Sequence, residues 1–70
     1  MDILTDLRLT VAAMQERSGV EVVEFRVGKN YAGFVCEAMA ERGVELETPE
    51  IGDEVSLSFT DGRKVRLLVH

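Results

Sequence analysis

Between Glu54 and Val69 the chain leaves itself very few ways to fold. Val55, Leu57 and Phe59 alternate with Glu54, Ser56 and Ser58, and beyond Thr60-Asp61-Gly62 the apolar phase resumes with Val65, Leu67 and Val69. Successive side chains of a strand point to opposite faces, so each half is a strand with one apolar face. The turn between them must bring both apolar sets to the same side. A two-residue Asp61-Gly62 loop would set Phe59 opposite Lys64 and put a charge on the core face. A three-residue loop, Thr60-Asp61-Gly62, sets Leu57 opposite Val65, Ser58 opposite Lys64 and Ser56 opposite Arg66. It also puts Gly62 at the left-handed position of a type I turn with a G1 bulge, where glycine is wanted.

Upstream, one stretch occurs twice. Ala13-Met14-Gln15-Glu16-Arg17-Ser18-Gly19-Val20-Glu21-Val22 returns as Ala38-Met39-Ala40-Glu41-Arg42-Gly43-Val44-Glu45-Leu46, with Ser18 missing from the second copy. Each copy reads as the last turns of a helix, a glycine stop and the start of a strand. Ile3, Leu4, Leu7, Val11 and Met14 share one helical stripe, which predicts a first helix over residues 3–18, with Asp2 as N-cap and Gly19 as terminator. From Val20 to Val27 the period falls to two, with Val23, Phe25 and Val27 on one face and Val22, Glu24 and Arg26 on the other.

After Gly28-Lys29 there are two ways to continue. In one, Asn30 caps a second helix whose stripe is Tyr31, Phe34, Val35, Ala38 and Met39 and which stops at Gly43. In the other, residues 31–36 form a strand with Tyr31, Gly33 and Val35 on one face. Val44 and Leu46 then alternate with Glu45 and Glu47 as a short strand, which Thr48-Pro49 closes because proline lacks the ladder donor. Ile51-Gly52-Asp53 makes a turn into the hairpin.

With the helical choice the order is α-β-α-β-β-β. The expected fold is a single two-layer α+β domain over residues 1–70, with two helices on one face of a small mixed sheet that ends in a β-hairpin. The strand at 20–27, the second helix and the strand at 44–47 would form a right-handed crossover with parallel strands. The opposite sheet face would carry Val22, Glu24, Arg26, Glu45, Glu47, Ser56, Ser58, Lys64, Arg66 and Leu68.

A chain of 70 residues buries only about 60% of its unfolded surface. Cys36 is the only cysteine, so no internal disulfide compensates, and a homodimer is the natural expectation. With 46% apolar and 30% charged residues the composition is that of a folded globular domain. The acidic start, Met1-Asp2-Ile3-Leu4-Thr5-Asp6, lacks the basic region of a secretory signal, and no apolar run is long enough to span a bilayer, which points to the cytoplasm.

Net charge is −5, and Glu37, Glu41, Glu45, Glu47, Glu50, Asp53 and Glu54 crowd one stretch against a single Arg42. Glu41, Glu45, Glu47, Glu50, Asp53 and Glu54 form a candidate acidic docking surface for a basic protein, and a field of this sign repels phosphate backbones. Their spacing matches no calcium loop, so no metal is expected. Arg63, Lys64 and Arg66 form a candidate basic ribbon. For catalysis there is little to use. His70 is the one histidine and stands at the frayed end, and Cys36 lies among apolar neighbours with no histidine near it. No glycine-rich phosphate cradle occurs. Neither a catalytic residue nor a cofactor is expected.

Gly33-Phe34-Val35, Ala38-Met39-Ala40-Glu41-Arg42-Gly43, Ile51-Gly52-Asp53-Glu54-Val55 and Asp61-Gly62-Arg63-Lys64-Val65 together resemble the swapped-hairpin, AbrB-type DNA-binding domains over about half the chain. That resemblance implies a dimer, a strand at 31–36 and DNA contact, for which Arg63, Lys64 and Arg66 are the available cations. The same Gly-Asp turn is similar to that of PilZ domains, which bind cyclic di-GMP. Where those carry an Asp-x-Ser-x-x-Gly turn, this chain has Ala38-Met39-Ala40-Glu41-Arg42-Gly43, without either polar ligand. The residues themselves predict a small non-enzymatic accessory or regulatory protein that acts through protein–protein contacts. A dimeric DNA-binding regulator is the alternative.

Overall fold

The computed structural model of the chain describes residues 2–70. Helix α1 spans Ile3–Ser18, and its ends are made by the residues that the sequence marks. Asp2 Oδ1 accepts the Thr5 N–H at 2.7 Å. At the other end Gly19 takes φ 70° and donates its N–H to the Gln15 carbonyl at 2.8 Å. A left-handed residue closing a single such bond is a standard way to end a helix. Leu4, Leu7 and Val11 are buried, but Met14 is 40% exposed, so the apolar stripe leaves the core in its last turn.

Strand β1, Val22–Val27, follows, and Gly28 turns it directly into helix α2, Lys29–Glu41. Residues 31–36 are therefore helical. Gly28 is the N-cap and supplies no side-chain bond, so Asn30 lies inside the first turn and does not cap it. The helix begins earlier than expected, and its buried face is rotated from the predicted stripe. Ala32, Val35 and Cys36 are buried, Tyr31, Ala38 and Met39 are half-buried, and Phe34 is left 60% exposed. The helix ends in a Schellman arrangement. Gly43, at φ 85°, donates to the Ala40 carbonyl, and Val44 donates to the Met39 carbonyl, each at 3.0 Å.

The doubled corner is thus real as a pair of glycine stops, but only the first leads into a strand. Residues 44–50 are irregular, and no strand forms over Val44–Glu47. Alternation alone does not make a strand, because the backbone must also pair in register with a neighbouring strand. The next two elements, β2 at Glu54–Ser58 and β3 at Lys64–Val69, pair with each other, and residues 46–49 run beside β2 without joining its ladder. The order is β1-β3-β2, with β1 parallel to β3 and β2 antiparallel to it. The parallel partner of β1 is the last strand of the chain, so the crossover runs through α2, the 44–53 segment and β2 together.

The hairpin has the expected register, with Leu57 opposite Val65, Ser58 opposite Lys64 and Ser56 opposite Arg66. Phe59 N–H donates to the Arg63 carbonyl at 2.8 Å, and Gly62 takes φ 88°. Buried side chains of α1 and α2 join Val23, Val55, Leu57, Val65, Leu67 and Val69 in one core. The alternate residues of the strands form a second, uncovered face. Across it run three rows: Val22, Lys64 and Ser58; Glu24, Arg66 and Ser56; Arg26, Leu68 and Glu54.

Candidate functional site

The acidic residues do not form one surface. Glu41 is exposed at the end of α2, and Glu45 and Glu47 are exposed on the irregular segment that follows. Glu50 forms an ion pair with Lys29 at 3.0 Å. Asp53 is occupied by its own turn, where its carboxylate accepts the Glu50 N–H at 2.8 Å. Glu54 lies on the uncovered sheet face, 4.0 Å from the Arg66 guanidinium. Among the described residues, Glu41, Glu45 and Glu47, together with Glu37 on α2, have no cationic partner.

The basic ribbon is divided as well. Arg63 turns to the helical side, donating to Gln15 Oε1 at 2.8 Å and pairing with Asp61 at 3.3 Å. Lys64 and Arg66 point from the opposite face, where Arg66 is bonded to Glu24. Strand alternation accounts for the split, because Arg63 has the phase of the core-facing Val65, Leu67 and Val69 whereas Lys64 and Arg66 have the opposite one. No single stripe of three cations results.

Cys36 is 7% exposed, and burial pushes its thiol pKa up, which lowers the thiolate fraction. His70 is exposed, but its backbone is held, since its N–H donates to the Val27 carbonyl at 3.0 Å. The frayed end expected of this residue is therefore tied to β1. Among the described residues, no three His, Cys, Asp or Glu side chains converge as metal ligands would.

The feature that sequence reasoning missed is Phe34. Its spacing predicts a place in the buried stripe of α2, whereas it stands on the solvent side and forms one wall of a shallow cleft with Lys29, Asn30, Gly33, Glu37, Thr48 and Pro49. Glu37 and Glu41, three and seven residues on, share its face of the helix. The one signal that could have exposed it is the pairing of Ala32 with Cys36. Small residues at that spacing allow close approach to a sheet and so compete with Phe34 for the inward face.

A second shallow cleft, of about 260 Å³, is lined by Leu7, Thr10, Phe25, Val27 and Tyr31 together with Asp6 and Arg26. Burial and the nearby Asp6 carboxylate both raise the pKa of the Tyr31 phenol. The chain matches no family model, no curated protein and no solved structure. No helix among the described residues is long and apolar enough to cross a membrane.

Proposed function

We propose that this protein is a non-enzymatic accessory or regulatory module that acts through protein contacts, and that it docks a basic partner segment on the exposed face of α2. The observation that carries this reading is Phe34, 60% exposed in a cleft that Glu37 borders, with Glu41 on the same helical face. A large aromatic side chain in water costs solubility, and aromatic anchors dominate interface energetics once covered. The neighbouring carboxylates, free of cationic partners, favour a lysine- or arginine-bearing segment and steer its approach. Of the acidic residues first considered, Glu41, Glu45 and Glu47 remain available to such a partner, while Glu50, Asp53 and Glu54 are engaged within the fold.

The test is retention of binding proteins from host lysate by the purified domain, compared with Phe34→Ala and with Glu37→Lys/Glu41→Lys. Neither substitution touches a buried residue, so both variants keep their circular dichroism. A partner held by the wild type and lost by both variants supports the reading. Equal retention by all three removes it. A salt-sensitive shift of DNA by the domain, abolished by Lys64→Ala, would instead favour the nucleic-acid alternative.

A further inference from the structure

The strands at the two sides of the sheet are not equally protected. The outer side of β2 is skirted by Leu46, Glu47, Thr48 and Pro49, which share a cleft with Asp53–Ser56. Among the described residues, no turn, loop or side-chain hydrogen bond reaches the backbone groups of Val22, Glu24 or Arg26 on the outer side of β1. In the parallel ladder the His70 N–H meets the Val27 carbonyl, so Val23, Phe25 and Val27 bond to β3 while the N–H and C=O groups of Val22, Glu24 and Arg26 point outward. This edge has six residues and no proline, bulge or lysine, the usual devices against pairing with another chain. On its core side Phe25 and Val27 are only half-buried, and they border the cleft that also contains Leu7, Thr10 and Tyr31.

We propose that this edge pairs with a second copy of the same chain, β1 against β1 in antiparallel register about a two-fold axis at Phe25. The register follows from charge. An axis perpendicular to the sheet keeps core-facing residues opposite core-facing residues, so the axis must pass through a residue and not between two. Centred on Glu24 or on Arg26, the pair would set identical charges opposite one another, which destabilises a cross-strand pair. Centred on Val23 or Val27, the overlap shortens and both charges are left unmatched.

Centred on Phe25, each Glu24 faces the Arg26 of the other copy, and each Val23 faces a Val27. The two Phe25 rings then meet at the axis, in a non-hydrogen-bonded position where side chains are closest. The outward amides and carbonyls of Glu24 and Arg26 become the hydrogen-bonded pairs. Two three-stranded sheets would join into one of six strands. An isologous contact of this kind is closed, so it ends at a dimer and does not propagate. This edge shares no residue with the Phe34 cleft, and the proposal does not depend on how that cleft is used.

The experiment is sedimentation equilibrium over a range of protein concentrations, with circular dichroism as the check on folding. The wild type is expected to be a dimer. Arg26→Glu and Glu24→Arg each turn both cross-strand attractions into repulsions, and each should raise the dissociation constant about tenfold or more. An equimolar mixture of the two variants brings an all-acidic edge against an all-basic one, and a mixed dimer should return. A wild type that stays monomeric at all concentrations overturns the proposal. So does a dimer indifferent to both substitutions, and so does a mixture that fails to associate when each variant alone has lost the dimer. The mixing step also covers the loss of the Glu24–Arg66 pair, which a merely weakened fold could not reverse.

Discussion

Leu67 and Leu68 are adjacent residues of the same type on the central strand, and replacing each with alanine should have very different effects. Leu67 is fully buried, between Phe25 on one side and Val55 on the other in the strand registers. Leu68 is half-buried on the uncovered face, beside Arg26 and Glu54. Leu67→Ala removes three carbons, worth about 0.8 kcal/mol each in transfer free energy, so roughly 2.4 kcal/mol is lost before any cavity is counted. The cavity adds to this, because β3 is held by strands on both sides and cannot collapse inward, and a total of about 3–5 kcal/mol is expected. A domain of this size has about 4–10 kcal/mol in all by the usual figure per residue. Leu67→Ala should therefore bring the protein close to half-unfolded at room temperature or shift its urea midpoint down by about 2 M or more. Leu68→Ala should cost under about 1 kcal/mol. The assay is urea denaturation followed by far-ultraviolet circular dichroism, at one fixed protein concentration so that any self-association contributes equally. Similar losses for the two variants would refute the assignment of faces, and with it the location of the core.

Two glycines should respond to alanine with opposite signs. Gly62, at φ 88° in the hairpin turn, should lose about 1 kcal/mol or more, whereas Gly33, within α2 with open space around its Cα, should gain up to about 1 kcal/mol, both read from thermal melts. The Thr5 N–H bond holds the Asp2 carboxyl below its ordinary pKa, with the Arg42 guanidinium adding to the effect. A depressed folded-state pKa means that the carboxylate stabilises the fold above its unfolded pKa and that this is lost as pH falls through the folded value. Asp2→Ala should thus be less stable than wild type near neutral pH, and the difference should close in strong acid, as paired denaturation curves would show. Cys36 should react with a thiol reagent about a thousandfold or more slowly in buffer than in denaturant, since access requires the core to open, and comparable rates would place it outside the core.

How much could be read in advance depended on how local the determining physics was. The α1 boundaries rest on contacts between residues three or four apart, Asp2 with Thr5 and Gln15 with Gly19, and the sequence marks both. The β2–β3 register rests on a three-residue loop and on the need to keep Leu57 and Val65 on one side. The helical face of α2 was harder. Its inward face is set by packing on the sheet, where Ala32, Val35 and Cys36 take the buried positions and leave Phe34 at the surface. The candidate site inherited that error, because an acidic run is visible in sequence while its division by Lys29, Arg66 and the Asp53 turn is not.

Sequence alone determined the first helix with its stop at Gly19, the first strand and the terminal hairpin, since each is specified by periodicity and turn chemistry within a few neighbouring residues, whereas residues 31–36 could be read as helix or strand until the fold made them helical. Tertiary structure decided the rest. Val44–Glu47 has the alternation of a strand but no strand forms there, and β1 reaches past it to pair with β3, the last strand of the chain. Which two strands share hydrogen bonds is a contest among all the free edges in the molecule. The last strand wins the centre of the sheet because that position covers the apolar face of Val65, Leu67 and Val69 fully and satisfies the backbone along both edges of the strand. Alternation states that a segment could pair; only the assembled fold states with what.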